Sequence, residues 1–282
     1  MPLSFFDSSG QAGSEILIFD LKITKEQVII SGGKNITNHE GYDNQPYFHP
    51  ALPVIYYSSF DDSARSDIKY FNFKKKETRN LTLTHEREYS PTVTPDGQFI
   101  SCILQRDNGA QDLVKYPING GKPEILISRL TIGYHAWAGK NKLLLFVLDD
   151  SLHNSLRYYN LSDNTDTILA KNIGRSLHKI PGQNAMSFVQ KIPEKGSVIK
   201  KFELNSGVIS DIAITLPGQD HLTWLRSDML LMSDGNKLFV YRVGSENNWQ
   251  PLIIYGDASL LKGVTRLATN TSNTKLAVVV SE

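Results

Sequence analysis

The chain has 282 residues, 30 basic against 29 acidic side chains, a 40% hydrophobic share and one cysteine. That length and apolar share are ample for a buried core, while a net charge of +1 gives no electrostatic case for nucleic acid or an anionic membrane. One cysteine makes neither an intrachain disulfide nor a multi-cysteine zinc site, and the longest apolar runs, such as Leu143–Leu148, fall far short of the roughly 20 residues of a membrane span.

The first residues, Met1-Pro2-Leu3-Ser4-Phe5-Phe6-Asp7, have no basic start and no apolar stretch of leader length. A cytoplasmic protein is therefore expected from the chain as it stands, and a periplasmic one if a leader has been removed. Two strand-like runs follow, Ile16–Phe19 and Gln27–Ile30. A repeat then sets in. Asn35-Ile36-Thr37 with Gln45-Pro46-Tyr47-Phe48-His49-Pro50 matches Asn80-Leu81-Thr82 with Ser90-Pro91-Thr92-Val93-Thr94-Pro95, every pair 45 apart. The Asn-x-Thr triplets at Asn35 and Asn80 thus read as repeat punctuation. Taking one anchor per unit gives Phe48, Val93, Trp137, Ile180, Trp224 and Thr269, with steps of 45, 44, 43, 44 and 45.

After each anchor comes a turn, best formed at Pro95-Asp96-Gly97, and then β-branched and aromatic runs. Second strands are expected at Val54–Ser58, Phe99–Leu104, Leu143–Leu148, Ala185–Gln190, Met229–Met232 and Leu276–Val280. Third strands follow at Ile68–Phe71, Leu113–Tyr116, Leu156–Tyr159, Val198–Phe202 and Leu238–Tyr241. Fourth strands are shorter, as at Glu124–Ile127 and Leu252–Ile254. No window carries a helical apolar period. Four strands per unit of about 44 residues is the pattern of a propeller blade. Six such units occupy about 264 residues and seven would need about 308, more than the chain has. The expectation is an all-β, six-bladed β-propeller of four-stranded antiparallel blades, residues 1–282 forming a single domain. Residues 15–31 complete the last blade, two strands coming from each terminus, which removes an open edge. A large β-sandwich is the runner-up, but it does not explain six evenly spaced anchors.

Asn80-Leu81-Thr82, a spacer to Pro91, then Val93-Thr94-Pro95-Asp96-Gly97 resembles the repeat of the TolB-like β-propellers, whose pattern is Leu-Thr, a spacer, then Pro-x-aromatic-Ser-Pro-Asp-Gly. Tyr42 to Pro50 is a second match. The later units lose the Pro-Asp-Gly turn: Ala138-Gly139-Lys140, Pro181-Gly182-Gln183, Arg226-Ser227-Asp228 and Thr271-Ser272-Asn273. TolB itself carries a further α/β domain, for which this chain has no room. The resemblance thus implies a fold, and only distantly TolB's periplasmic assembly role. The repeat is also similar to that of the propeller lids of serine oligopeptidases, but Gly-x-Ser-x-Gly is absent, as are Gly-x-Gly-x-x-Gly and the P-loop.

Function in propellers gathers at one mouth of the central channel, fed by the loops before the anchors. Here these supply Asp43, Gln45, Glu88, Tyr89, Tyr134, His135, Arg175, His178, His221 and Arg266, with Asp220 beside them. Arg175 and Arg266 suit a forked grip on a carboxylate, and Tyr42, Tyr89 or Tyr134 suit stacking on a ring. The leading expectation is a non-catalytic propeller, with no catalytic residue assigned, that binds a small ligand or a protein partner at that mouth. It would need no cofactor, bind no nucleic acid, span no membrane and be a monomer. The alternative is a metal-assisted carbohydrate lyase or hydrolase, as in TolB-like oligogalacturonate lyases, with His135, His178 and His221 holding a divalent metal. Water filling a channel is by itself reason enough for polar residues there. Cys102, mid-strand, is expected to be a small buried residue, Trp137 and Trp224 to pack between blades, and Lys74–Lys76 to be a solvated turn.

Overall fold

A computed structural model describes residues 13–60, 65–150, 153–245 and 248–282. Met1–Asp7 lie outside them. The chain divides into two compact units, one of Met1–Ser14 with His39–Lys171, the other of Glu15–Asn38 with Asn172–Glu282. Each carries three sheets, and the six together have the strand order of a six-bladed β-propeller.

In the first unit, blade one is β3 (Asp43–Phe48), β4 (Val54–Phe60), β5 (Ser66–Asn72) and β6 (Glu77–Asn80). Blade two is β7 (Arg87–Val93), β8 (Phe99–Gln105), β9 (Gln111–Pro117) and β10 (Glu124–Ile127). Blade three is β11 (Ile132–Gly139), β12 (Lys142–Leu148), β13 (Asn154–Asn160) and β14 (Thr165–Lys171). In the second unit, blade four is β15 (Ile173–Lys179), β16 (Ala185–Ile192), β17 (Gly196–Glu203) and β18 (Ile209–Ile214). Blade five is β19 (Leu222–Arg226), β20 (Met229–Ser233), β21 (Leu238–Arg242) and β22 (Gln250–Pro251). The closing sheet joins β1 (Ser14–Ile23) and β2 (Val28–Asn35) to β24 (Arg266–Thr269) and β25 (Lys275–Ser281), so strands from both ends of the chain share it, as the repeat arithmetic requires.

The second strands are buried on both faces: β4 throughout, β8 and β12 nearly so. This is why they read as continuous apolar runs rather than alternating ones. Blade faces meet in apolar layers. Val54, Tyr56 and Ile68 of blade one pack with Ile100, Cys102 and Val114 of blade two, and Ala185, Val189 and Ile199 of blade four with Trp224, Leu230 and Met232 of blade five. The fourth strands are largely exposed, which weakens their sequence signal.

One expected strand divides. The sequence places the fourth strand of blade five at Leu252–Ile254. That strand is instead the two-residue β22, and Ile253–Tyr255 forms a further strand, β23, parallel to β2 on the closing sheet. Pro251 has no N–H with which to extend a ladder. Leu252 still donates its N–H to Leu238 O (3.0 Å) and places its side chain in the core shared by the two sheets. The chain beyond it then covers an otherwise open edge of β2.

The turn after the first strand keeps its geometry where its motif is gone. Gly97 and Asn273 occupy equivalent places with φ of 71° and 53°, while in blade four the positive φ (70°) falls one residue earlier, at Gly182. Their neighbourhoods bond alike, Gly97 N–H to Thr94 O at 2.9 Å and Asn273 N–H to Asn270 O at 3.0 Å. Gly and Asn are the residues that tolerate this left-handed conformation.

Candidate functional site

The expected site residues lie on or beside the first strands of the blades. In the first unit they are interior. Asp43, Gln45, Glu88, Tyr89, Tyr134 and His135 are all buried. The first strands β3 and β7 bulge at the same repeat position, with Gln45 and Ser90 at φ of 58° and 55°. The bulge turns the Gln45 amide into a link between blades: its Oε1 accepts from Ser58 Oγ (2.9 Å) and from Ser90 N–H (2.6 Å).

Glu88 sits in the blade one–blade two contact. Its Oε1 accepts from Thr84 Oγ1 (2.6 Å) and Tyr116 Oη (2.9 Å), and Thr82 Oγ1 lies between Glu88 Oε2 (3.4 Å) and Asp67 Oδ1 (3.0 Å). Burial pushes the Glu88 carboxyl up to about 7, outweighing the hydroxyls that favour the carboxylate. A protonated Glu88 completes the chain, donating to Thr82, which donates to Asp67. The three tyrosines do not present ring faces to a ligand. Tyr42 and Tyr89 pack on Phe60 at 4.9 and 6.2 Å, and Tyr134 meets Phe146 edge-on at 5.7 Å.

His135 Nε2 lies 2.7 Å from Ser101 Oγ, which also accepts from Trp137 Nε1 (2.9 Å) and donates to Thr92 O (3.1 Å). With its one proton spent on Thr92, Ser101 receives the His135 bond, so Nε2 carries the hydrogen. Burial lowers the imidazole to about 3, and the ring is neutral. The same tryptophan device recurs in the second unit, where Trp224 Nε1 donates to Ser187 Oγ (2.8 Å). Both tryptophans tie a first strand to the second strand of the preceding blade.

The second unit differs. Arg175, His178, His221 and Arg266 are only partly buried. His178 Nε2 contacts Ser176 Oγ (2.9 Å), which itself bonds the Leu222 N–H (3.1 Å) and O (3.3 Å). Burial holds His178 near 4. Arg266 Nη1 lies 3.4 Å from His221 Nδ1. A guanidinium only donates, so Nδ1 accepts, and the ring proton is on Nε2, which faces Asp220 Oδ1 at 3.6 Å. His221 is held well below the usual imidazole range, first by desolvation and then by Arg266, Arg175, His178 and Lys191 around it. Its side chain nevertheless keeps 24% of its surface exposed, which describes a recessed but reachable position. Asp220 also approaches Lys191 Nζ (3.5 Å), and Gly174 leaves room for it, since a Cβ there would meet the Asp220 Cβ at 3.0 Å.

Lys191 escapes the sequence pattern, because it lies near the end of a second strand, β16, and not in a loop before a first strand. A polar cavity of about 410 Å³ along β2, β21 and β22, lined by Glu26, Arg242 and Gln250 among others, has no sequence signal either. Among the described residues, no group of three or more His, Cys, Asp or Glu is placed to hold a metal ion. Cys102 is fully buried, and burial pushes its thiol well up. The Lys74–Lys76 run forms the turn between β5 and β6, capped by Asn72 Oδ1. No helix among the described residues is long and apolar enough to cross a membrane.

No protein-family model and no curated protein sequence matches the chain. Solved structures do. A protein of Agrobacterium tumefaciens described as TolB superposes with a TM-score of 0.71 at 12% identity, covering 97% of this chain and 99% of that one. TolB from Acinetobacter baumannii gives 0.59 at 11% identity over 96% of this chain, which spans 64% of its length. A chain of a nidogen/laminin complex gives 0.62 at 11% identity, with 95% and 98% covered. At these identities the likeness establishes the fold, that of the TolB-like six-bladed propellers.

Proposed function

We propose that this chain is a non-catalytic interaction module of TolB-like fold, which binds a small ligand or a protein partner through side chains on the first strands of its blades. The observation that carries this reading is the second unit's cluster of recessed, partly accessible charged side chains on β15, β24 and the loop before β19. The corresponding side chains of the first unit are closed off from solvent, whereas charged groups that keep accessible surface in a recess suit a ligand. The histidines support binding rather than chemistry. His178 and His221 have pKa values lowered by burial, and His221 Nδ1 is already engaged by Arg266, so neither is poised as a base near pH 7. The solved neighbours include TolB proteins and a chain of a nidogen/laminin complex, which is consistent with a scaffold for protein contacts.

The test is a thermal-shift screen of the wild-type chain with small-molecule and peptide libraries, followed by hydrogen exchange on each hit. A ligand is expected to protect amides of Ile173–Lys179 and Leu222–Arg226. Hits that protect only the outer strands, or that are chemically turned over, would overturn the reading.

A further inference from the structure

The outer part of the second unit holds a cavity away from the first strands, and it follows from how blade five ends. The Leu252 N–H still bonds to Leu238 O (3.0 Å) within that blade, and one residue on Ile253 already pairs with Ile29 of β2. The chain thus passes from one sheet to the next within two residues. Short of that crossing the two sheets stand apart, with β21 and β22 forming one wall and Glu26–Val28, where the β1–β2 turn enters β2, the other. The wedge between them has a volume of about 410 Å³, within the range of small-molecule sites. Its walls are braced. Thr24 N–H bonds to Gln27 O (2.9 Å) and Gln27 N–H to Thr24 Oγ1 (2.9 Å), which closes the turn. Arg242 Nη2 donates to Lys25 O (3.2 Å), which ties that turn to β21. A ligand entering here therefore has little of the protein to order.

The lining has a definite chemistry. Val28, Val240 and Leu252 are buried and make an apolar floor. Gln27 and Gln250 are exposed and make an amide rim. Two charges of opposite sign, Glu26 and Arg242, share the same wedge, and among the described residues they are not paired with each other. A guanidinium has five N–H donors, of which Lys25 O takes one. A simple anion would gain Arg242 and meet like charge at Glu26, and a simple cation the reverse. A sugar or a nucleobase finds no aromatic ring to stack on among the described lining residues. A molecule that carries both an ammonium and a carboxylate satisfies the two charges together, and an aliphatic side chain on it suits the floor.

We propose that this wedge is a second binding site, for a zwitterion with an aliphatic side chain: an α-amino acid or a short peptide whose carboxylate meets Arg242 and whose ammonium meets Glu26. The site lies apart from the first strands and goes beyond the interaction-module reading. The test titrates the full-length chain with leucine and, separately, with leucyl-leucine, at constant ionic strength, followed by calorimetry and thermal melting. At least one of the two is expected to bind and to raise the melting temperature. Binding of leucine assigns a free amino acid, and binding of leucyl-leucine alone a peptide. Leucinamide, which lacks the carboxylate, and isocaproate, which lacks the ammonium, should each bind about tenfold or more weakly, the loss of a charged hydrogen bond. Arg242→Gln should weaken the zwitterion to a similar degree. That variant also gives up a bond to the turn, so Glu26→Gln, an exposed position, makes the same test where Arg242→Gln fails to fold. Lys195→Ala, which removes an exposed charge elsewhere in the unit, should leave binding unchanged. Hydrogen exchange should show protection in β21 and the β1–β2 turn. No binding of either zwitterion, equal binding of the singly charged analogues, or equal binding by both variants overturns the inference. Protection of β15 and β19 instead would also overturn it and assign the ligand to the first strands. A library whose hits all protect the wedge would do the reverse, sinking the first-strand reading and leaving this site standing.

Discussion

The first strands of the two units descend from one repeat and do different work. In the first unit, β3, β7 and β11 bury their polar side chains and bond them to neighbouring segments: Gln45 with Ser58 and Ser90, Glu88 with Thr84 and Tyr116, His135 with Ser101. In the second unit, Arg175, His221 and Arg266 remain partly reachable and carry net positive charge. The contrast teaches that a polar residue at a repeat's functional position is a binding candidate only where it keeps accessible surface. Residue type alone does not tell the two apart: histidine, carboxylate and amide suit either use.

Substitutions that separate stability from binding sharpen this contrast. The largest loss of stability is expected from Gln45→Ala. It strips the acceptor from the buried Ser58 hydroxyl and Ser90 N–H, and at about 1–3 kcal/mol for each orphaned donor the chain should lose about 3 kcal/mol in urea unfolding. A loss below about 1 kcal/mol would mean that water reaches this link and that the first unit is less closed than described.

Next is Glu88→Gln, expected to act in the opposite direction. The folded carboxyl titrates near 7 against an ordinary 4.5, so the folded state holds its proton more tightly than the unfolded chain. Stability from this group is then full below about pH 4.5 and falls as pH rises through 7, by about 2–3 kcal/mol. The amide reproduces the protonated acid: its oxygen accepts from Thr84 and Tyr116 and its NH2 donates to Thr82. The stability difference between variant and wild type should therefore grow between about pH 4.5 and 7.5 in favour of the variant, and level off above. Paired denaturation curves across that range check this. A difference that does not change with pH would place Glu88 in contact with water.

The smallest effect on stability is expected in the second unit. Lys191→Gln should change the unfolding free energy by no more than about 0.5 kcal/mol, because the Lys191 side chain is largely exposed and its ion pair with Asp220 is screened by water. A loss comparable to that of Gln45→Ala would erase the difference between the units and make Lys191 a structural link.

Much of this was legible from residues. The 45-residue match paired Gln45-Pro46 with Ser90-Pro91, and the structure shows a bulge of the same backbone conformation at both places. Continuous apolar runs located every second strand, because both of their faces are buried. The fourth strands were faint because they pack on one side only, and β23 was invisible as such, its pairing partner β2 lying more than 200 residues earlier. The candidate site was legible as a set of residue types and positions. Its division into closed and open groups was not, since Ser101, Thr82, Tyr116 and Lys191 lie on second and third strands or on connections that the repeat anchors do not touch.

The sequence by itself determined the blade period, the number of blades and the sharing of one sheet by both ends of the chain. These follow from strand periodicity and chain length, which are local or additive properties. Only the tertiary structure decided which polar side chains are buried and which keep accessible surface. That depends on partners brought together from strands 30 or more residues apart, as Ser90 meets Gln45 and Trp137 meets Ser101, and on how much protein surrounds each group. Burial and hydrogen-bond partnership are properties of the assembled blades, and no single repeat encodes them.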